Sequence, residues 1–237
     1  MKPELREIFT RYDAVIFDMD GTLVDSMWVW EEIDRDFFRS RGMEFPDTLH
    51  KEIEGMSFTE TAEYFVKTYH MAETVEEVKA VWNRMAMEKY RTKTPLKPGA
   101  LPFLELLKQN GLRTGIATSN STLLVDVFLK ARHLNGMIDA VTTSCEVNRG
   151  KPAPDVYLAT AGKLGVAPES CLVFEDLPMG ILAGKNAGMD TCAVEDAYSA
   201  ELWEEKKQMA DFFISDFTDI VKTDSICRPG WRQGRMM

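Results

Sequence analysis

Short apolar runs recur along the chain, rich in β-branched and aromatic residues and without alternation of apolar and polar positions. Such runs are typical of strands that are covered on both faces. Six segments have this character: 14–17, 114–117, 140–143, 171–174, 191–194 and 212–214. Helical spacing of apolar residues occurs in 101–110, 121–132, 154–164 and 181–187. This alternation predicts an α/β fold with a Rossmann-like, doubly wound parallel sheet.

A purely helical block interrupts the alternation after the first strand. Apolar side chains recur there at helical spacing in 33–38, 58–69 and 75–85, and no strand candidate occurs. The segment 94–99 contains two prolines and a glycine, which is typical of a linker. We therefore expect an all-helical inserted domain at 28–93 and a Rossmann-like core made of 1–27 and 94–237.

Composition narrows the possible partners. The 237 residues are 45% hydrophobic and 28% charged, with a formal net charge of −10. Binding to nucleic acid or to an anionic membrane surface requires clustered Lys and Arg, so the charge argues against both. No GxGxxG or GxxxxGKS/T motif occurs, so a dinucleotide-dependent oxidoreductase or a P-loop kinase has no support.

The N-terminus and the cysteines predict a cytoplasmic protein. The first residues are charged and lack the apolar core of a signal peptide, and no run approaches the roughly 20 apolar residues of a membrane span. The cysteines, Cys145, Cys171, Cys192 and Cys227, are widely spaced, which predicts reduced thiols. The tail 228–237 has no helical or strand period, and we expect it to be mobile.

Polar and charged side chains follow the predicted strands at four points. Residues 18–22 (Asp-Met-Asp-Gly-Thr) follow the first strand, 118–120 (Thr-Ser-Asn) the second, 148–152 the third and 175–176 (Glu-Asp) the fourth. Ligands of a doubly wound sheet bind outside the carboxyl ends of its strands. We therefore expect the four segments to converge on one site.

Acidic residues in these segments favour a divalent cation. Asp18 and Asp20 are two positions apart, so in a continuing strand both side chains leave on the same side and repel each other. Glu175 and Asp176 add oxygens, and Mg2+ prefers carboxylates together with water and a substrate phosphate. Aspartate also forms turns and caps helices, but a second acidic strand end favours the metal.

Neutral and basic residues in the same segments favour phosphate. Thr118 is a candidate N-cap for the next helix. Its hydroxyl, with the amides of Ser119 and Asn120, would also surround an anion at a helix N-terminus. Lys151 stands between a glycine and a proline, and this restrained backbone favours a fixed charge.

In their order, these motifs resemble the haloacid dehalogenase superfamily of phosphohydrolases, over about residues 10–221. The motifs are Asp-Met-Asp-Gly-Thr-Leu-Val-Asp-Ser at 18–26, Thr-Ser-Asn at 118–120, Gly-Lys-Pro-Ala-Pro-Asp at 150–155 and Phe-Glu-Asp at 174–176. The inserted block looks like the helical cap of that family. The nearest branch looks like the β-phosphoglucomutase-like phosphatases.

The resemblance implies covalent catalysis with Mg2+ as cofactor. Asp18 would attack phosphorus and form an aspartyl-phosphate, and Asp20 would protonate the leaving oxygen and later activate water. The implied metal ligands are Asp18, the backbone carbonyl of Asp20, Glu175 and Asp176. The implied phosphate-binding residues are Thr118, Ser119, Asn120 and Lys151.

Departures from the family pattern bear on the reaction. True β-phosphoglucomutases carry a histidine where Trp30 stands and a basic pair where Glu54 and Phe58 stand. A sugar bisphosphate has a second phosphate, which Glu54 and Phe58 cannot hold, so a monophosphate hydrolase is favoured. Asp20 argues against a dehalogenase, which needs no acid at that position. Leu177 replaces a common serine, which removes a hydroxyl near the metal.

The expected function is Mg2+-dependent hydrolysis of a small phosphorylated metabolite, a sugar phosphate or a nucleotide, by a monomer. Two alternatives remain: a phosphomutase of the β-phosphoglucomutase type, and a catalytically silent binding protein on the same fold. The intact residues Asp18, Asp20, Lys151 and Asp176 speak against the silent protein. Trp30 and Phe58 are the candidate pocket residues of the cap, although packing is the commoner role for such side chains.

Overall fold

The computed structural model describes residues 2–221 and contains one six-stranded sheet with the order β3-β2-β1-β4-β5-β6, in which every pairing is parallel. The strands are β1 (Ala14–Phe17), β2 (Arg113–Thr118), β3 (Ala140–Thr143), β4 (Cys171–Glu175), β5 (Asp190–Val194) and β6 (Phe212–Ile214). All six predicted strands and the fold class are confirmed. The tail 228–237 and Cys227 lie outside the described residues.

Helices cover the sheet and fill the insertion after β1. They are α1 (Leu5–Arg11), α2 (Met27–Ser40), α3 (Leu49–Ile53), α4 (Phe58–Thr68), α5 (Val75–Thr92), α6 (Ala100–Gln109), α7 (Thr122–Ala131), α8 (Asp155–Leu164), α9 (Pro178–Asn186), α10 (Trp203–Met209) and α11 (Thr218–Val221). The helices predicted from spacing correspond to α2, α4, α5 and α6 to α9. The domain bounds 28 and 93 stay a prediction.

Both faces of the sheet are covered, which explains the continuous apolar runs. In β1, Val15 and Phe17 pack into one apolar cluster, whereas Ala14 and Ile16 pack into a second cluster on the opposite face. Successive side chains of a strand point to opposite faces, so both sets need apolar residues. All four residues of β1 are fully buried.

The helical block begins two of its helices with reciprocal caps. Before α4, the Ser57 hydroxyl accepts from the Glu60 N–H at 3.1 Å, and the Glu60 carboxylate accepts from the Ser57 N–H at 2.7 Å. Thr74 and Glu77 repeat this arrangement before α5. Each capping box satisfies two backbone donors that the helix itself leaves unpaired, so the starts of both helices are specified locally.

The block packs on the core beside β2. The Phe58 N–H donates to the Ser119 carbonyl at 3.1 Å, and the Ser121 hydroxyl donates to Asn83 of α5 at 2.6 Å. Ser121 is also the N-cap of α7, since its hydroxyl accepts from a first-turn N–H. The prediction that Thr118 caps this helix is therefore wrong, because β2 runs through Thr118 and α7 begins later.

None of the helices in residues 2–221 combines the length and apolar character that crossing a bilayer requires. The thiols of Cys171 and Cys192 are buried, while Cys145 is exposed, and all three are free.

Candidate active site

A pocket of about 560 Å³ opens at the carboxyl ends of β1, β2 and β4, against the helical block. Its volume lies within the roughly 300–1,000 Å³ of typical small-molecule sites. The predicted site residues that line it from the core are Asp18, Asp20, Thr118, Ser119, Asn120, Lys151 and Glu175. The four predicted segments therefore meet at one place, as the carboxyl ends of neighbouring parallel strands should.

Asp18 occupies the first position after β1. Its N–H donates to the Phe174 carbonyl at 2.9 Å, which continues the pairing with β4. The carboxylate is buried and accepts from the Lys151 ammonium at 2.5 Å. Burial raises the pKa of Asp18 well above its ordinary value, although Lys151 lowers it. A buried, partly neutralised carboxylate thus faces the pocket.

Glu175 holds Lys151 in position. One carboxylate oxygen accepts from the Lys151 ammonium and from the Tyr157 hydroxyl, the latter at 2.9 Å. The other accepts from the N–H groups of Asp176 and Leu177 at 2.9 and 3.1 Å. Both oxygens of Glu175 are therefore occupied by protein donors. Burial lowers the pKa of Lys151, but Asp18 and Glu175 outweigh it and leave the pKa raised.

Asp176 presents an oxygen without a partner. Its Oδ1 accepts from the Thr22 hydroxyl at 2.7 Å, whereas its buried Oδ2 has no hydrogen-bond partner. Burial, with Glu175 and Asp196 adding to it, raises the pKa of Asp176 to about 8. Carboxylate oxygens of Asp18, Glu175 and Asp176 lie within 4.8 Å of one another. This cluster could hold a metal ion, with Asp176 Oδ2 as its free ligand atom.

Gly21 leaves the space beside that free oxygen open. Its φ is +82°, and a Cβ at this position would overlap Asp176 Oδ2. A left-handed φ strains any residue with a side chain. Two independent requirements, backbone conformation and space, therefore favour glycine at this position.

Asp20 has different partners from Asp18. β1 ends at Phe17, so the condition under which both carboxylates would leave one strand on the same side is not met. The Asp20 carboxylate accepts from the Ser26 hydroxyl at 2.5 Å and from the Tyr90 hydroxyl. Its side chain stands outside the three-carboxylate cluster, which leaves it available for proton transfer.

Asn120 also binds Asp20, and both of its donor groups are used within the protein. Its side-chain amide donates to Asp20 at 2.8 Å and to the Tyr90 hydroxyl at 3.1 Å. Its N–H donates to the Thr118 hydroxyl at 3.1 Å. Asn120 therefore orients Asp20, which differs from its predicted contact with phosphate. Thr118 and Ser119 line the pocket, and their phosphate contacts stay a prediction.

Trp30 and Phe58 both line the pocket from the helical block. Trp30 donates its indole N–H to the Tyr90 hydroxyl at 2.9 Å, and its ring centroid lies 6.1 Å from that of Phe58. Trp30 thus supports Tyr90, which in turn binds Asp20. Tyr90 belongs to no motif, and no signal in the sequence marks it.

Lys206 of α10 contacts the backbone of the acidic cluster at Asp176. No motif in the sequence marks this residue either. Its ammonium is buried and donates to the Asp176 carbonyl at 2.9 Å and to the Ser199 hydroxyl at 2.9 Å. Ser199 donates to the same carbonyl at 3.0 Å. Two donors therefore hold the backbone of Asp176 in place.

Comparisons with known proteins agree on one family. A family model described as haloacid dehalogenase-like hydrolase matches residues 15–194. Hexitol phosphatase B of Escherichia coli (strain K12) is 31% identical over 217 residues, which cover 89% of this chain and 95% of the relative. The phosphorylated carbohydrates phosphatase of Thermotoga maritima is 32% identical over 181 residues, 75% of this chain and 82% of the relative.

A solved structure supports the fold. The crystal structure of β-phosphoglucomutase from Clostridium difficile matches with a TM-score of 0.74 and 19% identity, covering 88% of this chain and 92% of that chain. At this identity the likeness concerns the fold alone.

Proposed function

Because this chain belongs to the haloacid dehalogenase-like hydrolase family and is a phosphate monoester hydrolase, we propose that it acts on a small phosphorylated metabolite through a covalent intermediate on Asp18. The observation that carries the proposal is the buried Asp18 carboxylate at the pocket, with the Lys151 ammonium 2.5 Å away. The names of the two phosphatases favour a phosphorylated carbohydrate over a nucleotide.

Asp18 is the nucleophile in this proposal. Its carboxylate oxygen attacks phosphorus, the bond to the leaving oxygen breaks, and the phosphoryl group stays on Asp18. Lys151 offsets the negative charge that the phosphoryl oxygens bring, and the buried setting strengthens this attraction relative to water. Glu175 and Tyr157 keep the ammonium in place, so little reorganisation is needed when substrate arrives.

Asp20 is the general acid and base. It gives a proton to the leaving oxygen as the bond to phosphorus breaks. As a carboxylate it then accepts a proton from the water that attacks the aspartyl-phosphate, and inorganic phosphate leaves. Such proton transfer contributes roughly 10²–10⁴-fold. Ser26, Tyr90 and Asn120 hold the carboxyl group in position for both steps.

We propose Mg2+ as the cofactor, and the residues present fit it. Asp176 Oδ2 is buried without a protein partner, and Mg2+ is usually bound by one or two carboxylates with water and substrate phosphate. Asp18, Asp176 and the backbone carbonyl of Asp20 would hold it, with Glu175 acting through Lys151. When bound, the ion supplies positive charge next to the phosphoryl group.

A phosphomutase is less well supported, because it must hold a second phosphate on the side of the helical block. There Glu54 and Phe58 line the pocket. Burial raises the pKa of Glu54, and Glu205 and Glu175 raise it further. The neighbouring carboxylates that add to this shift also oppose a second phosphate.

Phosphate release from a panel of sugar phosphates and nucleotides in the presence of Mg2+ tests the proposal. Asp18→Asn should lower kcat by on the order of 10³-fold or more, because the attacking oxygen is lost, and a chelator should abolish release. Asp36→Asn, an exposed position on α2 paired with Arg39, serves as the control and should keep full activity.

Two results would contradict the proposal. Release that survives Asp18→Asn or the chelator would overturn the mechanism. A wild-type protein inactive on the whole panel would favour the silent binding protein.

A further inference from the structure

One carboxylate in the pocket takes no part in the proposed chemistry. Asp34 lies on α2, lines the pocket, and is 6% exposed. Among the described residues it has no hydrogen-bond or ion-pair partner, and burial alone raises its pKa, to about 7. A largely buried carboxylate without a protein partner costs stability, and this one opens to the pocket, which favours a role toward a ligand over a role in folding.

The basic side chains Arg35 and His50 do not neutralise Asp34. Arg35 donates to Glu31 at 2.9 and 3.1 Å and stacks over the Phe45 ring at 4.6 Å. His50 has its pKa lowered by burial, so it is a weak source of positive charge at neutral pH. The Asp34 carboxylate therefore faces a pocket in which no nearby cation neutralises it.

The position of Asp34 on α2 relates it to the proposed leaving group. Met27, Trp30 and Asp34 all line the pocket and are spaced as one helix face. Trp30 supports Tyr90, which binds Asp20. Asp34 is one turn farther along the same face, about 6 Å by helical rise. A leaving group whose oxygen is at Asp20 and that carries several carbons would extend past Trp30 toward Asp34.

Most of the other charged side chains that line the pocket from outside the catalytic cluster are acidic. Asp47, Glu54 and Glu201 line it together with Asp34. Lys51 also lines it, but its ammonium lies 3.5 Å from Glu201. A second phosphate placed here would meet several carboxylates, whereas hydroxyl groups would find acceptors.

We infer that Asp34 is a specificity-determining residue that accepts hydrogen bonds from the hydroxyl groups of a neutral polyol or sugar leaving group and disfavours a second anionic group. The inference rests on the proposed phosphatase function and names its substrate class. Hydroxyl groups supply the hydrogen bonds that the carboxyl group of Asp34 lacks within the protein. Selectivity then follows from a buried acceptor that only a hydroxylated leaving group satisfies.

Kinetics on three substrates test this role. Sorbitol 6-phosphate and glucose 6-phosphate carry hydroxyls on the leaving group, whereas p-nitrophenyl phosphate carries none. Asp34→Asn should lower kcat/KM for the better of the two sugar substrates about 10-fold or more, mainly through KM. It should leave kcat/KM for p-nitrophenyl phosphate within about 2-fold, which also shows that the variant is folded.

Fructose 1,6-bisphosphate provides a second comparison. The wild type should prefer the hexose or hexitol monophosphate to the bisphosphate, and Asp34→Asn should narrow that preference. Asp36→Asn makes the same chemical change two positions along α2 on an exposed residue, and should leave all of these ratios unchanged.

The outcomes separate the inference from the function on which it rests. Equal losses on p-nitrophenyl phosphate and the sugar substrate, or no loss on either, would overturn the role of Asp34. Wild-type activity on p-nitrophenyl phosphate without activity on either sugar phosphate would overturn the inferred substrate class while leaving the phosphatase intact. Inactivity on every substrate would overturn the proposed function itself.

Discussion

At the residue scale, Tyr90 has a defined direction of hydrogen bonding. Its hydroxyl accepts from the Trp30 indole and from the Asn120 amide, so its own proton goes to Asp20. Burial, with the Asp20 charge adding to it, raises the pKa of Tyr90, so the group stays protonated and remains a donor. Asp20 therefore depends on a residue that never touches the reacting atoms.

Tyr90→Phe removes that donor while keeping the ring. We expect kcat to fall about 10-fold or more, as for loss of a hydrogen bond to a charged group, with a smaller change in KM. Tyr64→Phe is the matched control, because its hydroxyl binds Glu52 at the surface. Equal effects of the two changes would exclude the positioning role of Tyr90.

Gly21→Ala tests the space beside Asp176 Oδ2. We expect Mg2+ to raise the melting temperature of the wild type but not of this variant, since the new methyl group would overlap Asp176 Oδ2, the proposed ligand atom. Gly42→Ala is the control, with a similar left-handed φ of +66° and nothing within 4 Å of an added Cβ. Each change strains the backbone by about 1–2 kcal/mol, so a response to Mg2+ retained in both variants contradicts the metal site.

The pKa of Asp34, about 7, predicts a dependence of stability on pH. An unfolded chain releases this proton near pH 4, so between pH 4 and 7 the folded state binds more protons. The free energy of unfolding therefore falls as pH rises through this window, by up to about 4 kcal/mol. Burial, with the Asp34 charge adding to it, raises the pKa values of Tyr69 and Tyr198, so both hydroxyls stay neutral between pH 4 and 7.

Melting temperatures of the wild type and Asp34→Asn at pH 4.5 and pH 8 measure this effect. The variant should gain stability relative to the wild type at pH 8 and much less at pH 4.5. A difference that is the same at both pH values would show that Asp34 is ionised normally in the folded protein.

At the scale of elements, close contact between β2 and α8 depends on Gly115. A Cβ there would lie 2.6 Å from the Thr160 methyl and 3.2 Å from Leu164, both on α8. Parallel strands and their crossover helices pack without voids, so an added methyl group must displace α8.

Gly115→Ala should therefore lower the free energy of unfolding by about 1–3 kcal/mol. Gly162→Ala, on α8 itself with nothing within 4 Å, should instead raise it by up to about 1 kcal/mol through helix propensity. Chemical denaturation of both variants measures the contrast, and a loss in both would mean that packing at Gly115 is not the cause.

The strands, the helices and the candidate active site could be predicted from the sequence to different extents. Buried strands such as β1 need apolar residues on both faces, so their sequence shows them directly. Asp18, Asp20 and Lys151 follow strand ends within recognisable motifs. Short helices such as α1 and α11 have too few turns to show a period. Asp34 reaches the pocket, and Tyr90 reaches Asp20, only through the tertiary packing of the inserted helices, which spacing along the chain does not determine.

At the scale of the whole molecule, a protein with a net charge of −10 must bind a negatively charged phosphate ester. The positive charge that can attract the substrate is confined to the pocket. Lys151 is buried between Asp18 and Glu175 and is not part of a basic surface. Only a group small enough to enter the pocket meets that charge. Net charge therefore describes the solubility of the protein and not the electrostatics of its site.

Donors from both sides of the cleft meet on Asp20, Tyr90 from the inserted helices and Asn120 from the core. On the proposed mechanism, a ligand too bulky for the pocket would still bring its phosphate to Lys151, but it would move α5 away from the core and separate Tyr90 from Asn120. Such a ligand would occupy the enzyme without being turned over. Bulky phosphate esters would thus differ from good substrates mainly in kcat and little in binding affinity. We therefore expect poor substrates of this kind to act as competitive inhibitors.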